Sequence, residues 1–222
     1  MGLEFANHPF FQFIAQYAYE PHMVYVAVFG MMLASGFGFP VPEELYIVSV
    51  GILAYMGANP ELFPPPTIGA PVVNGYEAAL VTFLAVVFAD FLVFTLGRIF
   101  GRKIIKRPRF QKVFTKEIMD KINGWVKKYG ISAAFLFRFT PGVRFPAHIA
   151  LGMLTFPAWQ FVLVDAIAAA ISVPTQILLI YHFGEPILST ISKFKIVIAV
   201  ILVALIIGFV IRKLYQRKAA SS

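Results

Sequence analysis

Long apolar runs alternate with short polar interruptions along the chain, and the interruptions carry most of the information. Runs long enough to enter or cross a bilayer, which takes about 20 helical residues, fall at 23–39, 44–58, 78–97, 131–154, 157–181 and 194–211. The runs 78–97, 157–181 and 194–211 read as transmembrane helices. The stretches 23–58 and 131–154 do not read as single clean spans. FGFPVPEEL sits in the middle of the first, with Pro40 and Pro42 beside the adjacent carboxylates Glu43 and Glu44. FRFTPGVRFPAH sits in the middle of the second, with Arg138, Pro141, Gly142, Arg144 and Pro146. Proline breaks the helical ladder, and in lipid the freed backbone groups must be satisfied inside the protein. Each stretch is therefore predicted to be a re-entrant hairpin of two half-helices, the alternative being a kinked but complete span. The opening MGLEFANHPFFQFIAQYAYE reads as an interfacial amphipathic helix over 1–22 or, equally, as a structural first helix, and it lacks the basic start of a cleavable secretory signal.

Composition agrees with that pattern. The chain is 59% hydrophobic and 14% charged, with 24 phenylalanines, far from the makeup of a soluble domain. No polar block is longer than the basic segment 98–130, so a single membrane domain is expected. The absence of cysteine excludes disulfides, thiolate metal sites and a cysteine nucleophile.

Charge gives the chain a direction. All 19 lysines and arginines lie at position 98 or later, while seven of the 11 acids precede it, so the net charge of +8 belongs to the second half. RIFGRKIIKRPRFQK, at 98–112, and the tail RKLYQRK, at 212–218, belong on the cytoplasmic side by the positive-inside rule. The adjoining spans account for this charge without a nucleic-acid partner. With 98–130 inside, helix 78–97 enters from outside and the Pro-rich connection 59–75 is external. Helix 157–181 then runs outward and 194–211 returns, which puts the C-terminus in the cytoplasm. That path closes only if 131–154 enters and leaves from the cytoplasm, whereas 23–58 dips from the external face. The expected fold is thus an all-α integral membrane protein, an inverted repeat of two opposed re-entrant hairpins. Each hairpin is followed by a transmembrane helix, with an amphipathic helix before them and a C-terminal transmembrane helix after. Small transporters are often built this way.

An arginine at the centre of a spanning helix costs about 2.5–3.5 kcal/mol on insertion scales, against a folding stability of roughly 5–15 kcal/mol. Arg138 and Arg144 therefore need compensation. Snorkelling, or pairing with Glu44, Asp90 and Asp165, would make them internal glue. Alternatively, the broken hairpin tip presents free backbone donors beside two guanidiniums, an anion site whose planar forks suit phosphate. Asp165 follows the second hairpin as Asp90 follows the first, as a pseudo-symmetric partner or a helix bridge. His148 and His182 read as core or interfacial histidines, Gly97 and Gly101 as close helix packing, and Trp125 and Trp159 as interfacial anchors. No metal or cofactor is expected. No Ser-Gly-His element, HExxH pair or GxSxG elbow supports an enzyme.

At these residues the chain resembles the DedA family of SNARE-associated or VTT-domain membrane proteins. YGISAAFLFRFTPGVRFPAHIALGMLTFPAWQF, at 129–161, carries Gly130, Arg138, Phe139, Pro141, Gly142, Arg144, Ala150, Gly152 and Phe161 in the family's order. FPVPEELYIVSVGILAYMG is similar to its Pro-x-Pro-x-acid motif through Pro40, Pro42, Glu44, Gly51 and Gly57. ADFLVFTLGRIFG adds Asp90, Gly97, Arg98 and Gly101, and YHFG at 181–184 is similar to the closing motif. Departures are Glu43, Ala89, Phe94 and Ile180, and Glu43 leaves open which carboxylate of the pair takes a proton.

The resemblance implies a lipid transporter, not an enzyme, in the bacterial cytoplasmic membrane. Its cargo would be a phosphate-bearing lipid, first the polyprenyl carrier undecaprenyl phosphate, with glycerophospholipid flipping or scrambling and proton-coupled ion antiport as alternatives. Arg138 and Arg144 would bind the phosphate. Glu44, Glu43 and Asp90 would pair with them in the empty site and carry protons, Pro40, Pro42, Pro141 and Gly142 would shape the hairpin tips, and Asp165 would be secondary. Homo-oligomerisation is left open.

Overall fold

The computed structural model describes residues 9–36, 43–105, 114–140, 143–154 and 156–186. Pro40, Pro42, Pro141, Gly142, the helix expected at 194–211 and the basic tail lie outside them. Every regular element among the described residues is helical. Helix α1 (Pro9–Ala15) leads through a 3₁₀ turn (Gln16–Tyr19) to α2 (Pro21–Gly36), α3 (Glu43–Ala58) and α4 (Gly75–Ile105). Then follow α5 (Lys116–Tyr129), a second 3₁₀ turn (Gly130–Ser132), α6 (Ala133–Arg138), α7 (Arg144–Met153) and α8 (Ala158–Pro186).

Length separates two kinds of helix. Gly75–Gly101 of α4 and the whole of α8 are long and apolar enough to cross a membrane. By contrast α2 and α3, 16 residues each, reach only about 24 Å at the helical rise, short of the roughly 30 Å hydrocarbon core.

The two long helices run antiparallel. Gly75 near the start of α4 packs on the ring of Tyr181 near the end of α8, and Phe94 further along α4 stacks on Phe161, with ring centroids 4.3 Å apart. Each long helix also carries a shorter helix running parallel to it. Gly51 and Tyr55 of α3 meet Ile180 and Gly184 of α8, while Gly97 and Gly101 of α4 meet Ile149 and Met153 of α7. A Cβ at Gly97 or Gly152 would overlap backbone of the facing helix, so glycine permits this approach. The outward rows Leu80, Leu84, Phe88 on α4 and Leu163, Ile167, Ile171 on α8 are exposed and apolar, the surface a lipid-facing helix needs.

Two segments gain detail in the structure. Of the segment 1–22, the part described before Pro21 is a short helix, Pro9–Ala15, and one turn, Gln16–Tyr19. Phe11, Ala15, Ala18 and Tyr19 are buried against Tyr55, Met56 and Phe63. Pro21 starts a new helix, and the loop after α3 receives the turn. The Tyr19 hydroxyl donates to the Phe63 carbonyl, and Val73 N–H donates to the Ala18 carbonyl at 2.8 Å.

The basic segment 98–130 begins inside α4 and ends in the amphipathic helix α5. Thr115 caps α5 by accepting from Ile118 N–H at 3.4 Å, Lys127 and Lys128 occupy its last turn, and Gly130 ends it at φ 60°. The backbone N–H of Glu117 itself and then the Thr115 hydroxyl hold the Glu117 carboxyl below its ordinary range. Trp125 is half-buried and stacks on Phe137, while Trp159 is exposed.

Candidate functional site

Five helices deliver ionisable side chains to one place between α4 and α8. Glu43 opens α3, Asp90 lies within α4, Arg138 ends α6, Arg144 opens α7, and Asp165 lies within α8. The interruption between α6 and α7 turns both arginines to the same side. His148, one helical turn after Arg144, shares its face.

Asp90 is the hub. Its Oδ2 accepts from Arg138 Nη1 at 3.0 Å, and its Oδ1 accepts from Arg144 Nη2 at 2.7 Å and Nε at 3.2 Å. Glu43 closes the other side, with Oε1 accepting from Arg138 Nη2 at 3.3 Å and Oε2 paired with Arg144 Nη1. Arg138 Nε donates to Ser172 Oγ at 2.9 Å, and its Nη1 lies 3.6 Å from Asp165 Oδ1. The Arg138, Asp90 and Asp165 side chains are almost wholly buried, whereas that of Arg144 is 21% exposed. Such pairs lose solvation on burial, so removing one partner is far more damaging than the pair is stabilising.

A cleft of about 150 Å³ opens on one side of the cluster, lined by Glu43, Glu44, Ile47, Arg138, Phe139, Ser172 and Gln176. Glu44 lies in that lining and makes no ion pair among the described residues, so Glu43 takes the pairing place that the sequence reading gave first to Glu44. The reason is helical phase, since neighbouring residues at the start of α3 point about 100° apart. His182, by contrast, is remote from the cluster, with Nε2 3.4 Å from the Tyr76 hydroxyl.

Three residues of the cluster were not singled out by sequence as site members. His148 is fully buried, and Ser172 and Gln176 line the cleft. For the last two a signal existed: Asp165, Ser172 and Gln176 are polar at spacings of seven and four on a mostly apolar helix, which puts them on one face.

Counting formal charges, three carboxylates (Glu43, Asp90, Asp165) face two guanidiniums, which leaves one negative charge with His148 neutral. Asp90, His148 and Asp165 offer ligand atoms within 4.8 Å of one another. With two guanidiniums adjacent, however, a divalent cation would turn that deficit into a buried positive excess.

A family model described as the VTT domain matches residues 20–185. The chain is 33% identical to a membrane protein of Haemophilus influenzae over 70% of its own length and 68% of the relative's. Its identity to protein DedA of Escherichia coli is 28%, over 67% of each chain. Undecaprenyl phosphate transporter A of Bacillus subtilis is also 28% identical, over 78% of this chain and 82% of that one. No solved structure matches.

Proposed function

The chain belongs to the VTT-domain (DedA) family, a family of membrane transporters and not of enzymes, and on that premise we propose that it moves a phosphate-bearing lipid across the bacterial cytoplasmic membrane. The observation that carries this reading is the pair Arg138 and Arg144, held side by side between two membrane-crossing helices at the edge of a cleft. Undecaprenyl phosphate is the first substrate proposed, the molecule for which the Bacillus subtilis relative is named.

In this reading the lipid phosphate takes the place of the carboxylates as partner of the two guanidiniums. Planar forks bind its oxygens in bidentate fashion, and the first turn of α7 adds the positive end of a helix dipole. The cleft, at about 150 Å³, is of a size for a headgroup. The isoprenoid chain would lie outside, past Phe139 at the cleft wall and exposed Leu45. Glu43 and Asp90, losing their partners when phosphate binds, become candidates to take up protons, with Glu44 beside them.

Alternating access follows from an inverted repeat. The pairs α2–α3 and α6–α7 would be two re-entrant hairpins dipping from opposite faces, each followed by a long helix. Supporting this are the antiparallel α4 and α8, and the exchange by which α3 packs parallel to α8 and α7 parallel to α4. Rocking one hairpin against the other would open the arginines to each side in turn. The basic segments support a cytoplasmic place for α5 and the C-terminus.

Reconstituted flux tests the reading. Vesicles containing the protein should move labelled polyprenyl phosphate, and Arg138→Lys and Arg144→Lys, which keep charge but lose the planar fork, should each cut the rate by more than tenfold. Movement of phosphatidylethanolamine at the same rate would redirect the reading to scrambling. Movement of a monovalent cation alone would redirect it to antiport.

A further inference from the structure

Beside the arginines, and outside the lining of the cleft, lies a corner that the phosphate reading does not use. His148 and Asp165 are both fully buried, and neither ring nitrogen of the one nor either carboxylate oxygen of the other has a hydrogen-bond partner. They are nevertheless close to charge. His148 Nδ1 lies 3.3 Å from Asp90 Oδ1, and Nε2 lies 3.9 Å from Asp165 Oδ1, without hydrogen-bond geometry in either case. The His148 ring makes a T-shaped contact with Phe161, with centroids 5.1 Å apart.

Four buried polar atoms without hydrogen-bond partners and one uncompensated negative charge are two deficits in one place. A single monovalent cation answers both. Sodium seeks a shell of hard oxygen ligands, and an imidazole nitrogen is a poor substitute for one. A proton fits instead: it makes both ring nitrogens donors, one facing Asp90 and the other Asp165, or it sits on the Asp165 carboxyl and faces the ring. The charged groups around the pair are Asp90 from α4, Arg138 from α6 and Arg144 from α7. Glu43 of α3 lies beyond the arginines, and Glu44 lies at the cleft.

We propose that His148 and Asp165 form a buried proton-binding site whose occupancy is linked to phosphate binding at Arg138 and Arg144. The proposal rests on the phosphate reading for its coupling, though not for the proton site itself. A phosphate that engages the guanidiniums adds negative charge to the cluster and strengthens proton binding in the corner. By reciprocity, the protonated corner strengthens phosphate binding. The proton and the lipid therefore travel together, and the proton is carried by residues that do not touch the lipid.

The test is equilibrium binding of a short-chain polyprenyl phosphate to the full chain in detergent, at pH well above the probe's own second ionisation at about 6. Wild-type affinity should fall with rising pH, approaching roughly tenfold per unit for one linked proton. The double variant His148→Gln with Asp165→Asn, in which two carboxylates balance two arginines, should bind with a slope shallower by one linked proton. An unchanged slope in that variant, or no slope in the wild type, overturns the linkage. Infrared difference spectra of the unliganded wild-type chain between neutral and alkaline pH need no variant: bands from one buried imidazole or carboxyl should titrate, and their absence overturns the proton site. If those bands titrate but the probe does not bind at any pH, the phosphate reading fails and the proton site stands.

Discussion

Arg138 and Asp90 meet at 3.0 Å with both side chains almost completely excluded from solvent, joining the end of a six-residue helix to the interior of a 31-residue one. Because Arg138 also holds Glu43 and Ser172 and lies beside Asp165, it is the centre of the cluster's stability as well as half of its positive charge. Replacing Arg138 with alanine should cost about 3–5 kcal/mol by stranding buried carboxylates. Arg144, with part of its side chain in solvent, should cost less. Thermal unfolding in detergent checks the order, and equal losses would contradict this division of roles.

Charge balance gives a second expectation. The double variant Glu43→Gln with Arg144→Gln removes one charge of each sign and should unfold close to wild type, yet it lacks one phosphate fork and should lose transport. Flux and unfolding measured on the same preparation separate the two effects. Retained flux in a folded double variant would remove Arg144 from the phosphate site.

The two neighbouring carboxylates should also differ. Glu43 competes with an incoming phosphate for both guanidiniums, whereas Glu44 only lines the cleft. A hydrogen bond to a charged group contributes about 1.5–3 kcal/mol, so Glu43→Gln should tighten phosphate-lipid binding by roughly tenfold or more. Glu44→Gln should change it much less. Titration of a fluorescent polyprenyl phosphate reads the difference directly.

That difference marks what a sequence can and cannot convey here. Arg138, Arg144, Asp90 and Asp165 are conspicuous because a charge in an apolar run has a large cost that something must offset. Which of Glu43 and Glu44 reaches the arginines depends on where α3 starts, and Pro40 and Pro42 locate that start only to within a turn. His148 has no such cost while neutral, so nothing distinguished it from a core histidine until α7 placed it one turn beyond Arg144. The burial of Ala18 and Tyr19 depends on the loop after α3, a contact 44 residues away for Tyr19, which no local periodicity encodes.

Glycine contacts provide an independent check on the packing. A Cβ at Gly152 would run into the backbone at Phe94 and Arg98, while Gly124 on α5 faces open space. Gly152→Ala should destabilise by about 1–3 kcal/mol or more through overpacking. Gly124→Ala, in an exposed helix interior, should stabilise by roughly 0.5–1 kcal/mol. Opposite signs in the two unfolding curves are the expected result.

Orientation can be read without any transport assay, because the chain has no cysteine and every introduced thiol is unique. The loop between α3 and α4 has no basic residue, while α5 carries Lys116, Lys121, Lys127 and Lys128, so the two should lie on opposite sides of the membrane with α5 inside. Ile68 is fully exposed on that loop and Gly124 faces open space on α5, which makes both positions accessible to a thiol reagent. In intact cells an impermeant maleimide should label Ile68→Cys and spare Gly124→Cys until the membrane is opened. Labelling of both from outside would break the antiparallel threading of α4 and α8, and with it the opposed hairpins on which alternating access depends. Reversed labelling would keep that geometry and invert the direction in which the arginines are first exposed.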